Sequence, residues 1–363
     1  MNYDVVIVGA GTAGLMLSRE LGKQKVKTLV LDRRKDLLNF TFNTLGSFIN
    51  LDDFDLTENV VAQKISTAVL HTKNFKRKLS GNAYILDKKK LHEELLASLD
   101  YNYITIQKEI NIVSIEEDDK KFIKSVIDKE GNKYQGKIII DASGTAGVIS
   151  KKVGLQEKKV KLATGVEYNV KYLGNPSEAH LLAGKDYEGG YGWIFPLQNG
   201  RAIFGFGTFD DEVVKDLKKR LNEILETPKI KKIVQKDNEK VEGGSIPLTP
   251  VLDKFVLNNL VCVGDSVSQV NPIAGEGYKF IFESAIMASN AIVNAIQNDD
   301  LSHLNQYEID WSNRFLKSYK RAKFSQDKLF RYSKKDFLMD FAMLLLKLRS
   351  DKSVIKSLSG EFA

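Results

Sequence analysis

The chain has 363 residues, a length that suggests two domains or one large α/β unit with an inserted lobe. Hydrophobic residues make up 43% and charged residues 28%, and the net charge is +7, which together exclude a disordered or collagen-like chain. One cysteine and four histidines exclude a disulfide scaffold and a cysteine-based zinc site, so we predict no metal centre.

The start of the chain has the pattern of a dinucleotide-binding unit. Residues 4–8 (DVVIV) form an apolar run that predicts a buried parallel strand. Residues 9–14 (GAGTAG) follow, and residues 15–21 have helical spacing. A second strand, predicted over 26–31, ends at Asp32. A glycine turn between a strand and a helix, with an acid closing the next strand, is a specific fingerprint.

Each residue of this fingerprint has a physical role. Gly9 permits the tight turn, Gly11 lets the backbone approach a pyrophosphate, and Gly14 lets the helix pack closely on the strand. The helix N-terminus offers unpaired N–H groups to the phosphates. Asp32 would accept the ribose hydroxyls of an adenosine.

The middle of the chain alternates irregular, helical and β-rich segments. Residues 40–80 are polar with scattered aromatic side chains and predict irregular structure, and a helix is predicted over 89–99. Residues 104–140 alternate β-branched runs with turns, which predicts a β-meander that ends in a buried strand. A second β-rich stretch over 161–208 and a charged helix over 213–226 follow.

A second glycine-containing motif follows the β-rich region. Residues 261–265 (VCVGD) return to the parallel-strand pattern, and the glycine-rich stretch 272–277 leads into a helix predicted over 278–297. Such a strand end suits FAD, because Asp265 can hold a ribityl hydroxyl while the helix N-terminus faces the flavin ring. The two motifs together predict FAD as the cofactor.

The C-terminal segment places basic residues next to an apolar run. Lysine and arginine dominate 314–335, and the apolar run 337–348 is interrupted by Asp340 and Lys347 and is too short to span a bilayer. The basic segment fits either a solvated helix face or a surface that meets anionic lipid. Nucleic acid is not expected, because no base-reading motif accompanies the charge. Without a targeting signal, we predict a cytoplasmic protein, with peripheral membrane contact left open.

Two segments resemble a known family. Residues 191–196 (YGWIFP) match the YxWxFP motif of the geranylgeranyl reductases, and residues 265–284 resemble that family's second flavin motif. The resemblance covers roughly residues 1–300 and extends more widely to FAD-dependent oxidoreductases of the p-hydroxybenzoate hydroxylase type. It departs at residues 45–47 (LGS), where archaeal members often carry a Cys-Gly pair, and at Lys88, where relatives carry a flavin-contacting arginine.

The resemblance implies an α/β fold in which a Rossmann-like FAD domain carries an inserted substrate domain with a mixed or antiparallel sheet and a C-terminal helical segment. We assign residues 1–60, 85–160 and 250–300 to the FAD-binding domain, 61–84 and 161–249 to the substrate domain, and 301–363 to the basic helical segment. The predicted cofactor-binding residues are Gly9, Gly11, Ala13, Gly14, Asp32, Arg33, Lys88, Ile112, Asp265, Pro272, Gly275, Gly277 and Tyr278.

Aromatic side chains on two predicted strands suit an apolar substrate. Trp193 and Phe195 share one face of the first strand, and Phe204 and Phe206 share one face of the next. We predict that all four bind substrate along a hydrophobic tunnel over the flavin. The simpler alternative is a sheet that packs on an ordinary core.

The resemblance implies an FAD-dependent reductase that saturates C=C bonds of a prenyl chain on a lipid or a prenylquinone, with hydride from reduced flavin. Tyr191 and Glu276 are the candidate catalytic proton donors. An FAD-dependent monooxygenase of an aromatic or isoprenoid substrate, a lycopene-cyclase-like flavoenzyme without net redox change, and a flavin electron-transfer module stay open. One dinucleotide fingerprint leaves both NAD(P)H and ferredoxin open as electron donors.

Overall fold

The structure is a computed structural model that describes residues 3–238 and 240–361. Residues 1–2, 239 and 362–363, which fall within the domain ranges assigned above, lie outside the described residues. The strands are β1 (Tyr3–Val8), β2 (Thr28–Asp32), β3 (Thr44–Ser47), β4 (Val61–His71), β5 (Lys76–Asp87), β6 (Ile104–Lys108), β7 (Ile112–Glu117), β8 (Ile123–Asp128), β9 (Lys133–Tyr134), β10 (Gly136–Asp141), β11 (Leu162–Tyr172), β12 (Glu178–Leu182), β13 (Gly190–Pro196), β14 (Arg201–Thr208), β15 (Val234–Gln235), β16 (Val241–Pro247), β17 (Val256–Leu257) and β18 (Leu260–Cys262). The helices are α1 (Thr12–Lys23), α2 (Lys88–Ala97), α3 (Asp211–Lys215), α4 (Leu217–Leu225), α5 (Pro228–Lys231), α6 (Tyr278–Gln297), α7 (Gln306–Trp311), α8 (Lys317–Tyr332), α9 (Asp336–Leu346) and α10 (Asp351–Leu358).

A six-stranded sheet forms the first layer, in the order β17-β18-β10-β1-β2-β6. All its neighbouring strands are parallel except the short β17, which is antiparallel to β18. The apolar runs predicted as buried strands are fully covered, since Val5 to Ile7 and Ile138 to Ile140 are 0% exposed. Helices α1 and α6 pack against each other beside this sheet. The predicted α/β fold class is confirmed.

A second, mixed sheet runs in the order β15-β11-β14-β13-β12-β4-β5-β3, and β16 pairs with β11 along the same edge as β15. Strand β12 is parallel to β4, and the other neighbouring pairs are antiparallel. The prediction of irregular structure over 40–80 is wrong, because β4 and β5 form a long hairpin there. Pairing with neighbouring strands outweighs the weak alternation of this polar segment.

Two other sequence-based predictions also need correction. The segment 104–140 is not one meander, because β6 and β10 join the parallel sheet and only β7, β8 and β9 form a separate antiparallel sheet. The helix predicted over 213–226 is divided into α3 and α4 at Asp216. The long helix predicted over 278–297 is confirmed as α6.

The C-terminal helices pack back onto the second sheet. Met343 of α9 and Val354 of α10 share a small core with Leu70 of β4 and Leu79 of β5. The buried carboxylate of Asp340 accepts hydrogen bonds from Thr72 and Asn74 in the turn that joins β4 to β5, which fixes α9 in place. In the described part of the chain, no helix is both long enough and apolar enough to cross a bilayer.

Candidate active site

A polar cleft lies at the carboxyl ends of the parallel strands. The turns that follow β1, β2, β10 and β18 all contribute to its wall. Open parallel sheets bind ligands at this edge. The cleft has a volume of about 1290 Å³, including space open to solvent. Its lining includes the predicted cofactor residues Gly9, Gly11, Ala13, Asp32, Arg33, Lys88, Ile112 and Asp265.

The three fingerprint glycines meet different surroundings. Gly9 has a φ of +111°, and a Cβ atom there would lie 2.4 Å from the carbonyl oxygen of Ala142. A Cβ atom on Gly14 would lie 1.9 Å from the carbonyl oxygen of Gly9, so α1 packs directly on the turn. At Gly11 a Cβ atom would meet no described atom within 4 Å, and this residue lines the cleft. The space in front of the α1 N-terminus therefore suits a bound pyrophosphate.

Asp32 is held by Arg34, a residue that the sequence analysis missed. The backbone N–H of Ala10 donates to Asp32 Oδ2 at 2.8 Å, and Arg34 Nε donates to Oδ1 at 2.9 Å. Burial opposes ionisation of Asp32, but the hydrogen bonds and charge of Arg34 outweigh it and lower its pKa. Arg33, the predicted residue, is exposed at the cleft rim. Binding of a ribose by Asp32 stays a prediction.

Lys88 lies where the cleft meets a second cavity. Its ammonium group is 3.9 Å from the ring centre of Phe42 and 4.8 Å from that of Phe40. Burial lowers the pKa of Lys88 to about 8, and the charge of Asp265 opposes this shift. Burial likewise raises the pKa of Asp265 to about 6, against the charge of Lys88. Both groups line the cleft, and the charge of each opposes the pKa shift of the other.

The segment after β18 connects the two cavities. Pro272 and Gly275 line the second cavity, and Gly277 is the N-cap of α6. The ring of Tyr278 stacks on Phe282 in the core, with centroids 5.6 Å apart and planes at 7°. The ring of Tyr278 therefore helps to hold the start of α6 in place, and contact of this residue with a cofactor stays a prediction.

The second space, which we call the apolar cavity, lies on one face of the mixed sheet and has a volume of about 870 Å³. Strands β11, β13, β14 and β16 supply its floor, and β3, segment 272–275 and α8 supply its walls. Its side chains include Leu45, Glu167, Tyr191, Trp193, Ile246, Ile273 and Phe330.

Glycines in the floor make room for Trp193. A Cβ atom on Gly205 would lie 2.3 Å from Trp193 Cε2, and one on Gly165 would lie 3.0 Å from its Cη2. The indole therefore extends from β13 across β14 toward β11. There its Nε1 donates a hydrogen bond to Oε2 of Glu167 at 3.1 Å.

The prediction that Phe204 and Phe206 line this space is wrong. Both side chains are 0% exposed and belong to a core cluster with Leu217 and Leu221 of α4. Successive side chains of a strand point to opposite faces, so Gly205 and Gly207 of β14 lie on the cavity side, where Trp193 covers them. The two phenylalanines anchor the helices on the other face of the sheet.

Phe195 lies on the same face of the sheet as Trp193 but is not among the residues that line the apolar cavity. Its ring centre lies 6.3 Å from that of Trp193, with which it stacks. A Cβ atom on Gly46 would lie 3.2 Å from Phe195 Cζ, so the ring packs over β3. Contact of Phe195 and Trp193 with substrate stays a prediction.

The two predicted proton donors have different surroundings. The hydroxyl of Tyr191 donates to the carbonyl oxygen of Ala274, and burial raises its pKa. Glu276 Oε1 accepts from Ser47 Oγ at 2.8 Å and from the backbone N–H of Lys279 at 3.2 Å. Burial raises the pKa of Glu276 against these hydrogen bonds. The structure places Tyr191 in the wall of the apolar cavity and Glu276 beside Ser47 at the start of α6.

The structure also identifies an acid that the sequence analysis missed. Glu167 is 6% exposed and lines the apolar cavity from β11. Burial raises its pKa to about 7. The available sequence signal was a glutamate that shares a strand face with Gly165 in an otherwise apolar stretch.

Comparison with known proteins finds matches that cover nearly the whole chain. The family described as lycopene cyclase protein matches residues 4–354. Digeranylgeranylglycerophospholipid reductase 3 of Methanosphaera stadtmanae is 25% identical over 97% of this chain and 94% of its own length. A geranylgeranyl bacteriochlorophyll reductase-like protein of Thermoplasma acidophilum superposes with a TM-score of 0.86 at 20% identity, covering 96% of this chain and 92% of that protein. A probable FAD-dependent monooxygenase of Pseudomonas aeruginosa superposes with a TM-score of 0.72 at 16% identity, covering 93% and 98%.

These matches confirm two sequence-based predictions. The reductase relatives confirm the resemblance that residues 191–196 indicated, and the solved structures confirm the flavoprotein fold. The family description corresponds to the cyclase alternative that the sequence left open.

Proposed function

We propose that this chain, which belongs to the lycopene cyclase protein family, is an FAD-dependent reductase that saturates C=C bonds of a prenyl chain on a lipid or prenylquinone. The observation that carries this proposal is the meeting of a dinucleotide-type cleft with an apolar cavity at the contact between Lys88 and Phe42. Relatives named digeranylgeranylglycerophospholipid reductase, 25% and 27% identical to this chain, support reduction as the reaction.

The apolar space continues beyond the apolar cavity. A third cavity of about 1300 Å³, the helical cavity, lies between the mixed sheet and α8–α10. It shares Tyr191, Ile273 and Phe330 with the apolar cavity, so the two spaces adjoin. Leucine and methionine side chains of α8–α10, including Leu346, line its far side. This continuity favours a flexible hydrocarbon over a compact aromatic substrate.

The cleft residues fit FAD. Gly11 and Gly144 both border open space in which an added Cβ atom would meet no described atom within 4 Å. Gly11 and the α1 N-terminus would hold the pyrophosphate, Asp32 the adenosine ribose, and Asp265 the ribityl chain. When bound and reduced, FAD supplies the hydride for the alkene.

The protein's own part is to orient the alkene and exclude water. An unactivated alkene is a poor hydride acceptor, so its reduction needs an accurately placed substrate in a dry site. Trp193 is fixed by the floor glycines and by its hydrogen bond to Glu167, which makes it a rigid wall. The hydroxyl of Tyr191 is occupied by Ala274, so its ring, and not a free polar group, faces the cavities.

The C-terminal helices support contact with a membrane that carries such a substrate. The outward face of α9 exposes apolar side chains at helical spacing, among them Phe337 at 67%, Phe341 at 58% and Leu344 at 42%. The exposed basic residues of α8 precede this face. An apolar helix face beside cations suits the surface of an anionic bilayer.

Single-turnover reduction tests the proposed function. The FAD-loaded protein would be reduced chemically without oxygen and mixed with a geranylgeranyl lipid. We expect the lipid mass to rise by two hydrogen atoms for each flavin oxidised. Incorporation of an oxygen atom when O2 is supplied would identify a monooxygenase instead, and failure to release FAD on denaturation would contradict the cofactor.

The family description favours one second candidate, a flavin-dependent isoprenoid cyclase. A cyclase also needs an apolar cavity and a proton donor, so both reactions fit the same walls. The two differ in stoichiometry, because cyclisation leaves the substrate mass unchanged and does not oxidise the flavin. An isomerised product of equal mass, formed over many turnovers of one reduced flavin, would therefore replace the reductase proposal.

A further inference from the structure

One carboxyl oxygen in the apolar cavity has no hydrogen-bond partner among the described residues. Glu167 Oε2 accepts the bond from Trp193 Nε1, but Oε1 is buried without a partner. A buried ionised carboxylate is costly when its lone pairs are not satisfied, whereas a neutral carboxyl group is tolerated. The site therefore favours the protonated form, with the acidic hydrogen on the oxygen that Trp193 leaves free.

The charged groups that act on Glu167 come from two other elements. Glu242 stands directly opposite it on β16, and its negative charge adds to burial in raising the pKa of Glu167. The bond from Trp193 and the charge of Lys88 on α2 lower that pKa. Burial prevails, and a pKa of about 7 leaves both protonation states populated near neutral pH, as a general acid requires.

The other candidate acids are less suited to give a proton to the substrate. The hydroxyl hydrogen of Tyr191 is engaged by the carbonyl oxygen of Ala274. Glu276 also has a buried carboxyl oxygen, Oε2, without a partner among the described residues, but its side chain lines neither the cleft nor the apolar or helical cavity. Glu167 combines a place in the cavity wall with a carboxyl oxygen that is not engaged.

We propose that Glu167 is the general acid of the apolar cavity and delivers a proton from its carboxyl group to one carbon of the substrate double bond. The proposal rests on the proposed function. Saturation of one double bond forms two C–H bonds, one with the hydride that reduced flavin supplies, which carries both electrons, and one with the proton from Glu167. The Glu167 O–H bond breaks, and the carboxylate recovers its proton from solvent.

Trp193 offers a direct readout in the apoprotein, since the chain contains two tryptophans. Trp311→Phe removes the other indole, whose Nε1 has no hydrogen-bond partner among the described residues. In the Trp311→Phe protein we expect the fluorescence of Trp193 to change with pH, with a midpoint near 7. The reason is that Trp193 Nε1 donates a hydrogen bond to the Glu167 carboxyl group. Glu167→Gln should abolish this titration, and Glu242→Gln should move it to lower pH.

A midpoint near the ordinary glutamate value of 4.5, or a titration that survives Glu167→Gln, would overturn the proposal. Circular dichroism of each variant would establish that it is folded. Because this measurement needs neither flavin nor substrate, it tests Glu167 even if the wild-type protein proves not to be a reductase.

Single turnover tests the proton transfer itself. In the reduced, FAD-loaded protein we expect Glu167→Gln to slow saturation of a geranylgeranyl lipid about 100-fold or more, with FAD content unchanged. Glu167→Asp, which keeps an acid, should recover part of the rate. A Glu167→Gln rate within about threefold of wild type would overturn the proposal. Absence of saturated product from wild type would instead overturn the proposed function.

Discussion

A side chain added at Gly11 should prevent cofactor binding without disturbing the fold. The residue has a φ of −77°, which any amino acid adopts, and an added Cβ atom would point into open space. We therefore expect Gly11→Val to fold with near-normal stability but to purify colourless, because the valine methyl groups occupy the pyrophosphate site. Absorbance of the purified protein and chromatography of flavin released on denaturation would measure the loss.

Gly14→Val is the matched control for Gly11→Val. Its Cβ atom would lie 1.9 Å from the carbonyl oxygen of Gly9, so α1 would have to move away from the turn. We expect this variant to unfold at much lower denaturant concentration. A yellow Gly11→Val protein, or a wild type that releases only FMN, would contradict the assignment of the cleft to FAD.

Ionisation of Glu167 should also be visible in stability. Its pKa is about 7 in the folded protein against an ordinary value of 4.5, so the unfolded chain releases the proton first as pH rises. The stability of the wild type should therefore fall between these two values and stay lower above them. Relative to Glu167→Gln, the loss from about pH 4 to about pH 8 should be on the order of 3 kcal/mol, measured by urea unfolding. An equal difference between the two proteins at both pH values would contradict the raised pKa.

At the scale of single elements, β14 shows what the alternation of residues along a strand can and cannot predict. The alternation of Phe204 and Phe206 with glycine correctly predicts a strand with two unlike faces. The alternation does not indicate which face lines the cavity, because nothing in the sequence shows that Trp193 lies across the glycines. The sequence-based prediction placed the substrate on the aromatic face, whereas the glycine face borders the apolar cavity.

This arrangement predicts different effects for two aromatic substitutions. Trp193→Leu should raise KM for long prenyl chains more than for short ones. The substitution removes apolar contact between the indole and the prenyl chain, which contributes on the order of 1–3 kcal/mol to substrate binding. Phe204→Leu, on the opposite face, is the control and should lower stability without discriminating between chain lengths. Steady-state kinetics with geranyl, farnesyl and geranylgeranyl substrates would measure both. Equal losses for Trp193→Leu at every length would assign the indole a purely structural role.

At the scale of the whole molecule, elements with strong local patterns were predictable from sequence. The buried runs at 4–8 and 138–140, the glycine fingerprint and the helix at 278–297 each carry their signal within a few residues. The hydrogen bond from Trp193 to Glu167 has no such local signal, because its two residues are 26 positions apart. The β4–β5 hairpin has only weak alternation of its own and also depends on pairing with β12 and β3. Glu167 was missed because a single glutamate in a predicted strand has no local sequence pattern that indicates burial.

The outer surface of the C-terminal helices supports a last prediction, on membrane binding. Exposed cations on α8 and beside α9 precede the apolar outward face of α9, and each cation near an anionic surface contributes roughly 1 kcal/mol within a Debye length. We expect the wild type to float with anionic vesicles and to dissociate as salt rises. The substitutions that should abolish flotation are Lys317→Gln, Lys320→Gln, Arg331→Gln and Lys335→Gln, made together.

The control for that variant is a second variant that loses the same charge on the opposite side of the mixed sheet. The control carries Lys215→Gln, Lys218→Gln, Lys219→Gln and Lys232→Gln on and beside α3–α5, all exposed in the structure. It should float like the wild type, because its net charge matches that of the first variant and only the location differs. FAD content and thermal stability should be unchanged in both. If the wild type floats equally with neutral and anionic vesicles, or with neither, then α8 and α9 serve only to cover the mixed sheet and close the helical cavity.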